Sequence, residues 1–279
     1  MELSYPQALI LGLVQGLTEF LPISSSAHLA WVEAWMHMDG GSASMLFVDL
    51  MLHIGTVIAI VIVFFAEFLR FFRRLYAETH RGFAGPRIAW RITLLGILAS
   101  VPTAFIGWKF KDELEESFGR PFHIGLELIL SGFILWGVTF VRRPRNGWKR
   151  FKWWHALLVG IGQAFAIVPG ISRSGTTIAA GIYTGLRRQW AGEFSFFIGM
   201  PAICGAAFLQ TWEMVHKKHM ALGVLLTGPV IAGSVVALLS GVVALVIVMR
   251  SLRKGKFQYF CYYCWVVGAL ALIVFRHAQ

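Results

Sequence analysis

An all-α, polytopic membrane protein is the fold class this sequence predicts, and three observations carry the prediction. Of the 279 residues 57% are hydrophobic and 14% charged, with a mean hydropathy of +0.67. A soluble domain cannot hide that much apolar surface, so the solvent is lipid. Apolar runs long enough to span a bilayer recur at roughly 45–66, 88–108, 122–141, 194–213, 220–249 and 258–275. Two further apolar stretches, 5–38 and 153–186, are interrupted by Pro, Gly, Ser and ionisable residues. The runs predict about six transmembrane helices, and the interrupted stretches predict two re-entrant helical hairpins within one integral membrane domain.

The chain carries a net charge of +11, which points to nucleic acid only until the charges are located. Basic residues cluster at Arg70, Arg73, Arg74, Arg81, Arg87 and Arg91, and again at Arg142, Arg143, Arg145, Lys149, Arg150 and Lys152. Smaller groups are Arg187 with Arg188, and Arg250, Arg253, Lys254 and Lys256. The positive-inside rule makes these connecting loops cytoplasmic, facing anionic headgroups. The acidic loop 109–120, with Asp112, Glu113, Glu115 and Glu116, falls on the other side. Lys217 and Lys218 are a small violation of that topology. No nucleic-acid partner is expected. No cleavable signal peptide is visible after Met1, so the first span is expected to serve as an uncleaved signal. Cys204, Cys261 and Cys264 all lie in apolar segments and read as packing residues, despite the CxxC spacing of the last two.

The two interrupted stretches resemble each other. GLVQGLTEFLPISSSAH from Gly12 and GIGQAFAIVPGISRSGT from Gly160 align at a constant offset of 148, pairing Gly12 with Gly160, Gln15 with Gln163, Ser24 with Ser172 and Ser26 with Ser174. Each has its proline just before the serines, and the following segments, FVDLMLHIGTVIAI and GEFSFFIGMPAICG, share an aromatic-rich start and a glycine in register. The expected organisation is repeat 1 at about 1–110 and repeat 2 at about 150–250. Counting crossings from the cytoplasmic loops makes the first copy begin and end outside and the second begin and end inside. They are thus inverted repeats whose tips meet near the midplane. Interrupted backbone is tolerated there only when protein or a water-filled cavity surrounds it, and a pair of such segments points to a binding site.

In PGISRSGTT, residues 169–177, the Pro-Gly pair sets a turn and Ser172 or Ser174 can cap a helix continuing through Ile178–Leu186. A helix N-terminus, several hydroxyls and one guanidinium suit a phosphate. Arg173 costs about 2.5–3.5 kcal/mol at mid-bilayer on insertion scales, so something must offset it. The plainer alternative is an arginine that snorkels to the interface or pairs with a structural acid. In the first tip Gln15 and Glu19 are four apart and face the same way; Pro22 then breaks the helix, and Ser24, Ser25, Ser26 and His28 follow. Glu19, the serines and His28 could supply a base, a nucleophile and a proton shuttle. Taken singly, Glu19 also reads as an interfacial carboxylate and His28 as an interhelical contact. Asp49 and His53, on the next span, are weaker candidates. There is no P-loop motif.

These residues carry a resemblance. QGLTEFLPISSSAH is similar to the (E/Q)xxxE and PxSSxxH signature of the bacterial undecaprenyl-diphosphatases, the BacA/UppP family, and PGISRSGTT matches that family's PGxSRSxxT element. The likeness extends through FVDLMLHIGTVIAI, LASVPTAFIGWKF and EFSFFIGMPA. It implies an inner-membrane phosphatase that removes the terminal phosphate of undecaprenyl diphosphate, recycling the carrier lipid for peptidoglycan. It further implies bacitracin resistance, a divalent cation (Mg²⁺ or Ca²⁺), a homodimer and access from the outer, periplasmic face. By resemblance Glu19 is the essential carboxylate and Gln15 its partner, an amide where many members have a second Glu. His28 is the family's histidine, Ser25 its candidate nucleophile and Arg173 its phosphate clamp. Ser24, Ser26, Ser172, Ser174, Thr176 and Thr177 are the remaining substrate-binding candidates; Glu19 and Gln15 are the metal candidates. Ala27 stands where glycine is common. Attack by Ser25 and attack by a water activated through His28 and Glu19 remain open alternatives. The rival class is a lipid-phosphate transporter or flippase built on the same inverted-repeat site; an intramembrane serine hydrolase lacks a convincing Ser–His pairing.

Overall fold

The computed structural model describes residues 3–38, 43–80, 85–110, 121–141, 144, 146–216 and 226–276. Among these, eleven α-helices and no strand are present. They are α1 Tyr5–Phe20, α2 Ser25–Trp35, α3 Ala43–Val63, α4 Phe65–Thr79, α5 Ile88–Lys109 and α6 Pro121–Gly137. After them come α7 Trp153–Phe165, α8 Arg173–Tyr183, α9 Arg188–His216, α10 Gly228–Arg253 and α11 Phe260–Val274.

Six stretches, of 18 to 26 residues, are long and apolar enough to cross a membrane. At 1.5 Å per residue they measure about 27–39 Å, against a hydrocarbon core of about 30 Å. They fall on α3, α5, α6, α9, α10 and α11, those on α6 and α11 extended slightly by flanking turns. The hairpin helices α1, α2, α7 and α8 have 16, 11, 13 and 11 residues. At about 16–24 Å each they are too short to cross singly. Helix α10 shows how a span divides its surface: Ile231, Val235, Leu239, Val243 and Ile247 recur every fourth residue on the exposed face, while Gly233, Ala237, Gly241, Ala244 and Val248 are buried opposite. The exposed stripe is what lipid solvates.

Each hairpin's first helix lies along a long helix from the other half of the chain: α1 packs on α10, and α7 on α5. Glycine makes both contacts close. A Cβ at Gly12 would lie 2.1 Å from the Gly233 carbonyl oxygen, and one at Gly160 would lie 2.3 Å from that of Ala99. Small residues let backbones approach where no hydrophobic effect drives helices together in lipid.

Several expectations change. The basic stretch 67–91 is not simply a loop, because it contains most of α4. Phe65, Leu69, Phe72 and Tyr76 stand exposed along this helix among Arg70, Arg73 and Arg74, the pattern of an amphipathic interfacial segment. Its end is pinned by Glu78, buried, whose carboxylate accepts the backbone N–H groups of Ile88, Ala89 and Trp90 and the Arg74 guanidinium at 2.8–3.0 Å. Burial pushes this carboxyl up, but the N–H of Ala89, the Arg74 guanidinium and the N–H groups of Trp90 and Ile88 outweigh it and hold it below the ordinary glutamate value. Glu78 thus caps the free N-terminus of α5. The span expected at 194–213 begins earlier, inside α9 at Arg188, and the one expected at 220–249 is described from Gly228 to Arg253. Helix α8 stops at Tyr183, three residues short of the expected Leu186, because Gly185 takes a φ of +84° and closes the turn. The loop with Asp112, Glu113, Glu115 and Glu116 lies outside the described residues, as do Arg81, Arg142, Arg143, Arg145, Lys217 and Lys218. All three cysteines are free thiols, Cys261 and Cys264 buried.

Candidate active site

The turn Leu21–Ser24 joins α1 to α2, and residues 166–172 join α7 to α8. Helix α1 ends at Phe20 because Leu21 precedes Pro22 and is extended, with φ −62° and ψ 142°. Ser24 then caps α2, its hydroxyl accepting the Ala27 N–H at 3.4 Å, from a backbone at φ +67°. A non-glycine residue held there costs about 1–3 kcal/mol, so its surroundings must hold it in place. In the second hairpin Gly170, at φ +93°, makes the turn, and Ser172 caps α8 by accepting the Gly175 N–H at 3.1 Å. Of the two serines that could cap this helix, the structure uses Ser172.

The two tips touch. The Gly170 N–H donates to Ser26 Oγ at 3.2 Å, and Ser174 Oγ donates to the Leu21 carbonyl at 3.3 Å. Between them Glu19 and Arg173 form an ion pair: Arg173 Nη2 stands 2.7 Å from Glu19 Oε1. The carboxylate side chain is 5% exposed and the guanidinium 18%. The second carboxylate oxygen accepts the Ser25 hydroxyl at 2.6 Å and the Gln15 amide at 3.3 Å, with His53 Nε2 3.7 Å away. Gln15, Ser25 and Arg173 are therefore brought together around the buried Glu19 carboxylate.

His28 is not part of that contact set. Its Nδ1 stands 2.7 Å from the Ser24 carbonyl, which can only accept, so Nδ1 carries the proton and Nε2 is free to accept the Tyr263 hydroxyl at 2.8 Å. The histidine beside Glu19 is His53, whose own Nδ1 donates to the Asp49 carbonyl at 2.7 Å. The Asp49 carboxyl meets that of Glu33 on α2. Ser172 and Ser174 face each other at 3.4 Å, as Ser24 and Ser26 do at 3.1 Å. Thr177 Oγ1 is taken up by the Arg173 carbonyl at 2.7 Å and by Ser195 at 2.5 Å. Thr176 is buried, and its hydroxyl finds no partner among the described residues.

Several neighbours escaped the sequence reading. Ser131 on α6 accepts the Ser172 N–H at 3.0 Å and holds the second tip from outside. Tyr263 orients His28. Gly199 on α9 makes room for Arg173: a Cβ there would lie 1.7 Å from Nη1. The aligned glycines of the two repeats hinted at such a position but not at what filled it. Arg173 Nη1, packed against Gly199, has no acceptor among the described residues, and neither has Gln15 Oε1 its donor. Buried polar groups are ordinarily satisfied, so these orphans mark capacity left for a ligand.

Among the described residues no three His, Cys, Asp or Glu side chains converge as a metal shell. A hard divalent cation of the Mg²⁺ type is commonly held by one or two protein oxygens with substrate phosphates and water completing the shell. The orphaned Gln15 Oε1 beside the Glu19 carboxylate fits that partial role.

Fold and centre together define a class: multi-pass membrane proteins that set a hydroxyl and a guanidinium against a buried acid where two short helical hairpins meet. The chain belongs to the family described as bacitracin resistance protein BacA, whose family model matches residues 8–270. It is 39% identical over 268 residues to an undecaprenyl-diphosphatase of Carboxydothermus hydrogenoformans, covering 96% of each chain. A relative of the same name from Desulfatibacillum aliphaticivorans is 37% identical over 96% of this chain and 97% of its own. Another, from Halorhodospira halophila, is 36% identical over 95% of this chain and 96% of its own.

Proposed function

We propose that this protein is an integral membrane phosphatase that hydrolyses undecaprenyl diphosphate to undecaprenyl phosphate and phosphate. The observation that carries the chemistry is the Glu19 carboxylate, shared at 2.6–2.7 Å between the Ser25 hydroxyl and the Arg173 guanidinium. Binding alone does not call for an acid set against a hydroxyl; activating that hydroxyl does. Support for the substrate comes from the relatives' shared name and the near full-length match. Nothing in the centre favours transport over hydrolysis.

In this reading the prenyl tail lies among the apolar spans and the diphosphate enters where the tips meet. Arg173, the α8 N-terminus capped by Ser172, and the hydroxyls of Ser24, Ser26, Ser174, Thr176 and Thr177 line the phosphate's surroundings. They act on charge that develops on the transferred phosphoryl in a dry site, where fixed donors count most. Ser25 Oγ attacks the terminal phosphorus while its proton passes to Glu19. The bond from that phosphorus to the bridging oxygen breaks, and undecaprenyl phosphate leaves. Water then attacks the phosphoserine, which releases phosphate and restores the serine. His53 lies against Glu19 as the carboxylate changes charge; His28, held by Tyr263, stiffens the first turn of α2. Gln15 and Glu19 would hold a Mg²⁺ or Ca²⁺ ion, which would supply positive charge to the diphosphate oxygens.

The two hairpins read as re-entrant, entering from opposite faces as the tips of inverted repeats. With the basic clusters inside, the site of this inner-membrane enzyme opens toward the periplasm, and the assembly is a homodimer. The test is phosphate release from a prenyl diphosphate by purified protein in detergent, with and without EDTA. Wild type is expected to turn over and Glu19→Gln to lose at least about 100-fold, the scale of a removed transition-state contact. Rapid-quench labelling with substrate carrying a labelled terminal phosphate is expected to mark Ser25. No release by wild type would sink the assignment, and no label on the protein would shift attack from Ser25 to water.

A further inference from the structure

Far from the hairpin tips, the N-termini of α5 and α7 come together around a cavity of about 670 Å³ lined by Arg87, Trp90, Arg91, Leu94, Lys152 and Trp153. Arg91 Nη2 donates to the Phe151 carbonyl at 2.6 Å, which ties the two helix starts to each other. Arg87 and Lys152 are exposed at the rim, and Trp90, Leu94 and Trp153 are 38%, 60% and 64% exposed. The cavity is as large as a small-molecule site. It sits one α7 length, about 20 Å, from the start of the loop that carries the second tip.

We propose that this cavity is a binding site for an anionic phospholipid, with the headgroup phosphate among Arg87, Lys152 and Arg91 and the acyl chains along Leu94 and the two tryptophans. Arg87 and Lys152, both exposed at one mouth, offer two cations to a single headgroup phosphate. The acid nearest to Arg87 by sequence, Glu78, is already committed to the N–H groups of Ile88, Ala89 and Trp90 and to Arg74, and makes no bond to Arg87. Tryptophan belongs at the headgroup level of a bilayer, and basic pockets between spanning helices take up anionic headgroups. Leu94 begins an outward stripe continued by Ile97, Val101 and Phe105, 59%, 54% and 54% exposed, along which an acyl chain can lie. A free phosphate would use the cations but leave this apolar wall bare, so the lipid is the occupant the surface fits. The site is separate from the catalytic centre and does not depend on the reaction assigned there.

The test is native mass spectrometry of the purified full-length protein, delipidated in detergent and offered phosphatidylglycerol, phosphatidylcholine or inorganic phosphate. Wild type is expected to retain phosphatidylglycerol in preference to phosphatidylcholine. Each cation near an anionic surface is worth about fivefold in affinity, so Arg87→Gln with Lys152→Gln should weaken phosphatidylglycerol binding by about 30-fold. Phosphatidylcholine adducts and prenyl-diphosphate hydrolysis in detergent should be unchanged in that variant. Equal retention of phosphatidylglycerol by the variant overturns the proposal, and inorganic phosphate binding without any lipid preference overturns the lipid assignment. If the double variant is not monodisperse, each single variant is read for its fivefold loss. The wild type decides independently, because the absence of a preference for the anionic lipid also sinks the idea.

Discussion

The two hairpins share a frame and differ in what they hang on it. At an offset of 148, α2 and α8 begin and end at matching positions, Ser25–Trp35 and Arg173–Tyr183. The caps match too: Ser24 takes the N–H of Ala27, and Ser172 that of Gly175. Gln15 and Gln163 both leave a buried Oε1 without a partner among the described residues. At the same offset the chemistry diverges. Ser25 stands where the second copy has Arg173, and Glu19 where it has Ile167. One hairpin supplies the acid and the hydroxyl, the other the cation, and the centre exists only where they meet. A frame that presents the residue after its capping serine at a tip can offer a nucleophile from one copy and a phosphate clamp from the other.

The largest expected effect falls on the cation. Arg173→Ala should lower kcat for prenyl-diphosphate hydrolysis by at least about 100-fold. It also leaves Glu19 as a buried acid without its partner, a change that costs about 3–5 kcal/mol, so activity should be read beside a thermal unfolding curve. Arg173→Lys keeps the charge but not the fork; near-wild-type rates in that variant would reduce the clamp to a point charge. Next, Gly199→Ala should displace the guanidinium without touching any charge, giving a smaller kcat loss with the fold intact by circular dichroism. An unchanged rate would show that the guanidinium position is not critical.

The packing glycines come third. Gly12→Ala and Gly160→Ala each push a Cβ into a neighbouring carbonyl and should destabilise by about 1–3 kcal/mol, as overpacking does. If the two beds are equivalent, the losses measured by thermal melting in detergent should be similar; a loss at only one position breaks the equivalence. The smallest effect lies outside both hairpins. Since Glu78 titrates below the ordinary glutamate value when folded, its clamp is present in full above that value and is lost as pH falls through the folded one. Amides of Ile88, Ala89 and Trp90 should exchange faster in Glu78→Gln than in wild type at neutral pH, with the difference closing in acid.

Much of this was legible from the residues. Hydropathy marked the six spans, and the broken stretches marked the hairpins. The Gln15–Glu19 spacing and the serine-proline core named most of the centre, because local sequence sets turns, caps and helix faces. What remained hidden depended on long-range packing. Tyr263 lies 235 positions from His28, which it holds. His53 rather than His28 meets Glu19 because the His28 ring turns back onto its own helix at Ser24. Helix α4 was obscured because its arginines dominate the charge pattern, so its apolar face read as part of a loop. Gly199 carried no signal of its own, because only the arginine beside it explains why a side chain is excluded there.

The crosswise seating of the hairpins bears on how the molecule is made. Helix α1 rests on α10, which is synthesised near the end of the chain, and the partner of Glu19 lies 154 positions downstream. A ribosome delivering this sequence to the membrane presents an unpaired acid long before its cation exists. The first hairpin therefore settles onto a helix inserted after it, and the polar centre closes only once the second hairpin has arrived.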